Sequence, residues 1–558
     1  MEHLIFVAAL VGLVLIIFLD GMHQERKELR YYRQKLRDLP GKLPDKEYKV
    51  ERFIRIPGYY EKHPEEFQID DITWNDLGMD DIFVRMNYAI SSTGEEYLYY
   101  LLRTPQFDTE KLEHFDEITE YFRKDTEARV QYQWLMRKLG TTNKYSLYDY
   151  LDYLTNMGER SNTKEICMLV LSVILIVVAN FNLTFGVLGL IAWMLYQILS
   201  YSKVKKEIEP YMTSLTYMIR LLEIADKVMP QLPEICVQEK QQMQEARKRL
   251  GKLKKGSFWI FSSVYKTGSI VDVLLDQLRM MLHIDLIFFN KMLGELVLHL
   301  KDMDKLISVM GYLESAICVG LYRESLQEGW CKPQFEEGPM CVVEGYHPLI
   351  SHPVKNSISA KGGVLLTGSN ASGKSTFLKM MALNALLSQT IYTASAKEYK
   401  APFYYLYSSM SLRDDLESGE SYYIVEIKAI KRILDNRKQR KGKILCFVDE
   451  VLRGTNTVER IAASTQIMLS MTGEDIQCFA ATHDIELTQL LGDVYENYHF
   501  EEEIKDGDVL FNYQLLPGKA TTRNAIKLLE IMGYEEQIIQ NAQKQAEVFL
   551  NRGVWKRP

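Results

Sequence analysis

A chain of 558 residues is too long for a single core, and at roughly 100–200 residues per domain it implies three or four units. Its 67 Lys and Arg against 74 Asp and Glu leave a net charge of −7, which excludes nucleic-acid binding by bulk charge and confines any such contact to local patches. The seven cysteines, Cys167, Cys236, Cys318, Cys331, Cys341, Cys446 and Cys478, contain no C-x-x-C pair, so neither a disulfide framework nor a thiolate metal site is expected, and a reducing compartment is the default.

Leu4 to Leu19 is an uninterrupted apolar run, a little short of the roughly 20 residues that cross hydrocarbon unaided. It lacks a basic stretch before it and an A-x-A cleavage site after it, so residues 1–22 read as a retained transmembrane anchor. A basic juxtamembrane segment, 23–68, follows with Arg26, Lys27, Arg30, Arg33, Lys35 and Arg37. From 69 to 164 apolar residues recur at helical spacing, as at Leu98, Leu101 and Leu102, and Ser92-Thr93-Gly94 opens an amphipathic helix that Pro105 closes.

A second apolar block, Ile166 to Ser200, is broken only at 180–184 and predicts a transmembrane helical hairpin over 165–202, with Ile166–Ala179 and Phe185–Leu199 as its arms. A buried helical pair in a soluble core is the competing reading, because apolar runs of about 14 residues fit both. Lys164 before the block and Lys203, Lys205 and Lys206 after it favour the membrane, and with the first run they set the N-terminus outside, residues of about 22–164 inside, a short loop near Asn182 outside and everything after about 202, the ATPase included, on the cytoplasmic side of the cell inner (plasma) membrane. Helical spacing resumes over 203–330, making an all-α core with 69–164. Within it Arg247, Lys248, Arg249, Lys252, Lys254 and Lys255 form the most basic cluster of the chain, suited to DNA phosphates or anionic lipid headgroups, or merely a solvated charged turn.

Residues 331–518 change character. Leu365-Leu366-Thr367 runs into Gly368-Ser369-Asn370-Ala371-Ser372-Gly373-Lys374-Ser375-Thr376 and then a helical stretch: an α/β P-loop domain in which the loop and the helix N-terminus surround a phosphate, with Lys374 as counter-charge and Ser375 as a magnesium ligand. Ile444 to Val448 is a buried-strand pattern ending in Asp449 and Glu450. That strand is expected beside the loop-bearing strand, so that Asp449 holds the magnesium shell and Glu450 polarises the attacking water. Ile476 to Ala481 predicts a further parallel strand, with His483 at its ligand-facing end, placed to sense a γ-phosphate. Between the loop and the Ile444 strand, the segment from Asp414 to Tyr423 leads into a predicted helix, 424–434.

Together these segments resemble the MutS family of ABC-class ATPases. TGSNASGKSTFLK is similar to that family's Walker A, DDLESGESYYIVE to its signature, FVDEVLRGTNTVE to its Walker B region, ATHDIELT to its histidine loop, and Tyr346-His347-Pro348 to its R-H-P lead-in, with tyrosine in the arginine position. STGEEYLYYLLRTP is similar to the start of the family's helical core, and 519–558 to its C-terminal helical dimerisation segment. The resemblance implies ATP and Mg2+ as ligands and hydrolysis by a homodimer. Lys374, Ser375, Asp449, Glu450, His483 and His347 would serve the nucleotide of their own subunit, whereas Gly419 and Ser421 would act in trans. A mismatch-reading domain has no room in this chain. Two functions follow as expectations: a membrane-anchored MutS-like ATPase that binds DNA, or an ATP-driven clamp on a protein or lipid partner with no nucleic-acid role.

Overall fold

The structure is a computed structural model that describes residues 26–552, apart from 143–144, 159, 182, 265–269, 370–371, 411–421, 453–455, 506–507, 521–525, 527–528 and 530–531. The anchor expected over 1–22 lies outside the described residues, as do Asn370, Ala371, Gly419 and Ser421. The chain divides into two compact units: Met1–Pro64, Arg85–Leu101 and His114–Ser325 in one, Glu65–Val84, Leu102–Glu113 and Leu326–Pro558 in the other.

The first unit is helical. Helix α1 (Ser92–Arg103) begins at a buried polar knot. Glu95 is fully buried, and although burial alone would raise its pKa, Lys46 at 3.1 Å, Arg55 at 2.9 Å and Arg52 hold the carboxyl down to about 2. Gly94 is required here because a Cβ would lie 2.3 Å from Glu314 Oε2. Glu314 in turn accepts from the Ile90 and Ser91 backbone N–H groups and from the Ser91 hydroxyl.

Helices α2 (Thr163–Phe181) and α3 (Leu183–Val228) pack as a hairpin, α2 ending at Phe181 and α3 beginning at Leu183. They approach closely at that end, where a Cβ on Gly186 would meet Ala179 Cα at 2.2 Å. Ser172 of α2 accepts from Trp193 Nε1 and Gln197 Nε2 of α3, each at 2.9 Å. Further along the chain lie α4 (Ser257–Val264) and α5 (Ile270–Leu282), which pack against α3, and the long α6 (Leu300–Ser325). Among the described residues, α2, α3 and α6 are long and apolar enough to cross a membrane. In α6 that apolar window is 83% buried, which makes it a core helix, against 11% in α2 and 17% in α3.

The second unit is a six-stranded sheet with helices. Its central strand β1 (Gly363–Thr367) is wholly buried and leads through the Gly368 loop into α7 (Lys374–Ile391). The sheet's other strands are β2 (Tyr404–Ser409), β3 (Lys443–Asp449), β4 (Ile476–Ala481), β5 (Tyr495–His499) and β6 (Leu516–Pro517), with α8 (Tyr422–Gln439) between β2 and β3; a separate four-stranded sheet runs Gln334–Phe335, Glu398–Ala401, Met340–Gly345, Asn356–Ala360. The sheet order is β6-β5-β1-β4-β3-β2, parallel except for β6. This corrects one expectation: β3 is not beside β1, because β4 pairs with both and separates them. Five-residue and six-residue runs without a charge, buried on both faces, suit interior strands of such a sheet, and two interior strands offer no local signal of which neighbours which.

The outermost strand β2 is met by the short helix Asp71–Asp76, capped by its own Asp70. Thr73 Oγ1 accepts from Ser408 N at 3.2 Å, and Asp76 accepts from Ser408 Oγ at 2.7 Å and from Met410 N at 2.8 Å. Arg432 of α8 completes the arrangement by pairing with Asp70 at 2.7 Å and donating to the Ser408 carbonyl at 2.6 Å. Residues 65–84 thus belong with the sheet, although the sequence assigns 65–68 to the juxtamembrane segment and groups 69–84 by helical spacing with the α-helical core.

Candidate active site

The parallel strands β1, β4 and β3 end on one rim, and the candidate residues gather there. Gly368 (φ 143°) and Gly373 (φ 103°) both need a positive φ; a Cβ on Gly368 would also meet Ser372 Oγ at 2.8 Å and the Phe500 carbonyl at 2.9 Å. Ser372 closes the loop by donating to the Ser369 carbonyl at 2.8 Å, and Ser369 donates to Glu502. Gly373 caps α7, whose first turn exposes backbone N–H groups and the positive end of the helix dipole, the ready-made environment for a phosphate.

Lys374 is 3% exposed. Its ammonium is held 2.7 Å from the carbonyl oxygens of Gly368 and Ser369 and lies 3.4 Å from His483 Nε2. Ser375 donates to Asp449 Oδ2 across the rim, so the intervening β4 does not keep the β3 carboxylate from α7. A hydroxyl and a buried carboxylate in contact form an all-oxygen donor pair, which fits Mg2+ as a hard cation and offers nothing to a thiophilic metal. Glu450, one residue further, adopts φ 59°, and its N–H donates to the Ala481 carbonyl at 2.9 Å; this turn aims the carboxylate back over the rim, where Oε1 lies 2.8 Å from His483 Nε2. Asp484 is clamped by Arg460 through two hydrogen bonds of 2.9 and 2.6 Å, which fixes the loop that carries His483.

His347 lines a cavity of about 360 Å³ beside the loop, together with Gly373, Thr376, Phe377, His352 and Tyr513. Burial, with Lys379 adding to it, pushes the His347 imidazole down to about 4, and Nδ1 accepts from Leu349 N at 3.3 Å. A neutral ring in a mainly apolar pocket can stack on or hydrogen-bond to a planar base.

The structure therefore brings together Gly368, Ser369, Ser372, Gly373, Lys374, Ser375, Thr376, Asp449, Glu450, His483 and His347. Sequence reasoning missed Glu502, Tyr513, Arg460 and His352. For His352 a signal exists, since His352-Pro353 repeats His347-Pro348 five residues on. Tyr513 follows the two-stranded ribbon Glu502–Lys505 and Asp508–Phe511, whose position no local pattern foretells.

Residues 364–549 match the family model described as MutS domain V. The DNA mismatch repair protein MutS of Thermus thermophilus is 30% identical over 234 residues, 41% of this chain and 28% of that protein. The proteins of the same name from Aquifex pyrophilus (29% over 262 residues) and Lactobacillus acidophilus (28% over 271 residues) are matched over 44% and 46% of this chain and 30% and 31% of their own lengths. The chain thus spans less than a third of the curated relatives it matches. Loop, rim carboxylates and histidine all fall within the matched stretch, which is similar to MutS domain V and carries an ATPase unit of the ABC class.

Proposed function

We propose that this chain is an ATP hydrolase that closes as a homodimer and is anchored in a membrane, with its ATPase unit on the cytoplasmic side. The observation that carries the hydrolase reading is the meeting of Lys374, the Ser375–Asp449 pair and the Glu450–His483 pair on one rim. Loop N–H groups and Lys374 bind the β- and γ-phosphates, and the His347 cavity takes the base. Ser375 and Asp449 hold Mg2+, which when bound draws negative charge from the phosphate oxygens. Glu450, oriented by His483, orients the attacking water and accepts its proton. Gly419 and Ser421 complete the site of the opposite subunit, as the resemblance implies.

The membrane reading is supported by the hairpin, whose outward surface is apolar: Val173 is 61% exposed, Leu188 62% and Leu199 71%. An apolar patch of that extent on a water-facing surface has no stabilising partner. With the N-terminal run outside the described residues, the hairpin is the anchor supported by geometry.

DNA binding is the second reading, favoured by the name of the relatives. The basic cluster weighs against it, since Arg247 and Lys254 engage Asp226, Arg249 engages Asp302 at 3.0 Å and Lys252 engages Glu295 at 3.0 Å. These pairs neutralise much of the field a DNA backbone would meet. An ATP-driven clamp on a protein or lipid partner is accordingly the reading we place first. Binding of detergent-solubilised protein to duplex, junction and single-stranded DNA decides between them: affinity that falls steeply with salt and is lost in Lys248→Glu/Lys255→Glu establishes DNA, and no binding to any of the three leaves the clamp.

Dimer closure is tested by gel filtration of the Glu450→Gln protein in detergent with and without ATP. A shift to twice the mass with ATP is expected. An unchanged elution volume, or full-rate hydrolysis by an isolated single copy of the wild type, overturns the proposal.

A further inference from the structure

We infer that α4 and α5 form a second membrane-contacting element beside the α2–α3 hairpin, seated in the same bilayer; this rests on the reading of the hairpin as a membrane segment. Helix α5 is turned inside out relative to a helix in water. Arg279 is fully buried, donating to Asp276 Oδ1 at 2.6 Å and to Ser262 Oγ of α4 at 2.5 Å, and Asp272 is buried as well. Outward, Val271, Val273 and Leu274 are each about 60% exposed, joined by Leu278 and Met281, with Gln277 as the polar member of the exposed set. Burying a guanidinium forfeits hydration that its Asp276 and Ser262 partners must make good, so in water this helix would commit its buried face to charge and leave its apolar face uncovered. In hydrocarbon the same arrangement is the favourable one, because ionisable groups there turn inward and pair with one another while aliphatic groups meet lipid.

Depth points to lipid over a protein partner. Gln197 of α3 donates both to Ser172 Oγ of α2 at 2.9 Å and to the Met281 carbonyl at the end of α5 at 3.1 Å, tying α5 to the hairpin. At 1.5 Å per residue Gln197 lies roughly 21 Å along α3 from Leu183 near the turn, within the roughly 30 Å of a hydrocarbon core if that turn reaches the far headgroups. The C-terminal end of α5 is therefore level with the near part of the bilayer. The helix has 13 residues, about 20 Å, too few to cross, so α5 lies in the interface or dips into it and returns. Phe258, 59% exposed, and Trp259 on α4 are the residue types that favour the headgroup level, and Lys252, Lys254 and Lys255 precede them.

The test uses the full chain with Cys167→Ser, reconstituted in vesicles of equal parts phosphatidylcholine and phosphatidylglycerol, with bimane on single cysteines introduced at Leu274 and Leu278, at Ile174 in the hairpin, and at the exposed Gln241 as aqueous control. Acyl-chain nitroxide lipid and aqueous iodide are the quenchers, and the parent without introduced cysteine is the blank. We expect Leu274 and Leu278 to lose fluorescence to nitroxide lipid as Ile174 does and to be shielded from iodide. If they behave as Gln241 does while Ile174 is quenched by lipid, the inference falls and the hairpin stands. Shielding from iodide without quenching by lipid means that protein covers the face, and likewise overturns it. Should Ile174 itself be open to iodide and untouched by lipid, the membrane reading fails, and this inference with it.

Discussion

His483 Nε2 stands 2.8 Å from Glu450 Oε1, and the two residues reach each other from the ends of adjacent parallel strands, Glu450 through a left-handed backbone. Under the proposed function this carboxylate is the group that takes a proton from water. Glu450→Gln keeps the shape and removes the base. We expect ATP binding to persist and single-turnover phosphate release to slow by roughly 10²–10⁴-fold; an unchanged rate would refute the role.

Lys374 is buried, and its ammonium is already directed at the loop carbonyls of Gly368 and Ser369. Lys374→Ala removes the one cation that these contacts fix inside the loop. Affinity for a fluorescent ATP analogue should drop by about 10²-fold or more, equivalent to about 3 kcal/mol, without a change in the far-ultraviolet dichroism.

Asp76 accepts from both Ser408 Oγ and Met410 N. Asp76→Ala leaves these buried donors without that partner, a loss of roughly 1–3 kcal/mol. Thermal melting should show it as a lower midpoint. Asp76→Asn, which retains an acceptor oxygen, should recover part of the loss. Equal midpoints for the alanine variant and wild type would mean that the Asp76 contacts add nothing to stability.

Glu314 gives the helical unit a dependence on pH. Burial pushes its carboxyl up to about 7, against the pull of the Ile90 and Ser91 donors. A carboxyl whose folded pKa lies above its unfolded value binds its proton more tightly when folded, so the stability it adds is complete below about 4.5 and is lost as pH rises through 7. The loss amounts to at most roughly 3 kcal/mol. Melting of wild type between pH 5 and 8 should fall relative to Glu314→Gln, which keeps an acceptor for the backbone N–H groups and has no proton to lose. Parallel curves would refute the assignment. Glu95 works in the opposite sense: held near 2 by its three cations, it withdraws stability only as pH falls through the acid range.

What could be read from sequence was whatever is carried by contiguous residues. The Gly368–Thr376 loop, the paired acids ending β3 and His483 after β4 each announce themselves through local spacing, because strand, turn and helix N-terminus follow one another along the chain. The hairpin was equally legible, its arms being uniform runs with a single break. Strand order was not, since β1, β3 and β4 are equally apolar and their adjacency is decided by the helices that connect them. The residues that approach the loop from elsewhere, Glu502 and Tyr513, depend on a ribbon whose register is set by tertiary packing. Asp76 escaped notice for a related reason. Helical periodicity identifies a helix but not the strand it lies against.

The grip of the helix Asp71–Asp76 on β2 bears on how the protein can be dissected. β2 is the last strand of its sheet, and its outward amides at Tyr404, Ser408 and Met410 are taken up by Gln389, Thr73 and Asp76. A recombinant fragment starting at Leu326 would look complete by motif content, yet it would lack two of those three acceptors and leave a naked template for strand addition. Such a fragment would be drawn into self-association through β2. Activity lost on trimming would then report a sticky border at the same end of the sheet as Asp449, since Ser408 and Ser409 pair in register with Phe447 and Val448.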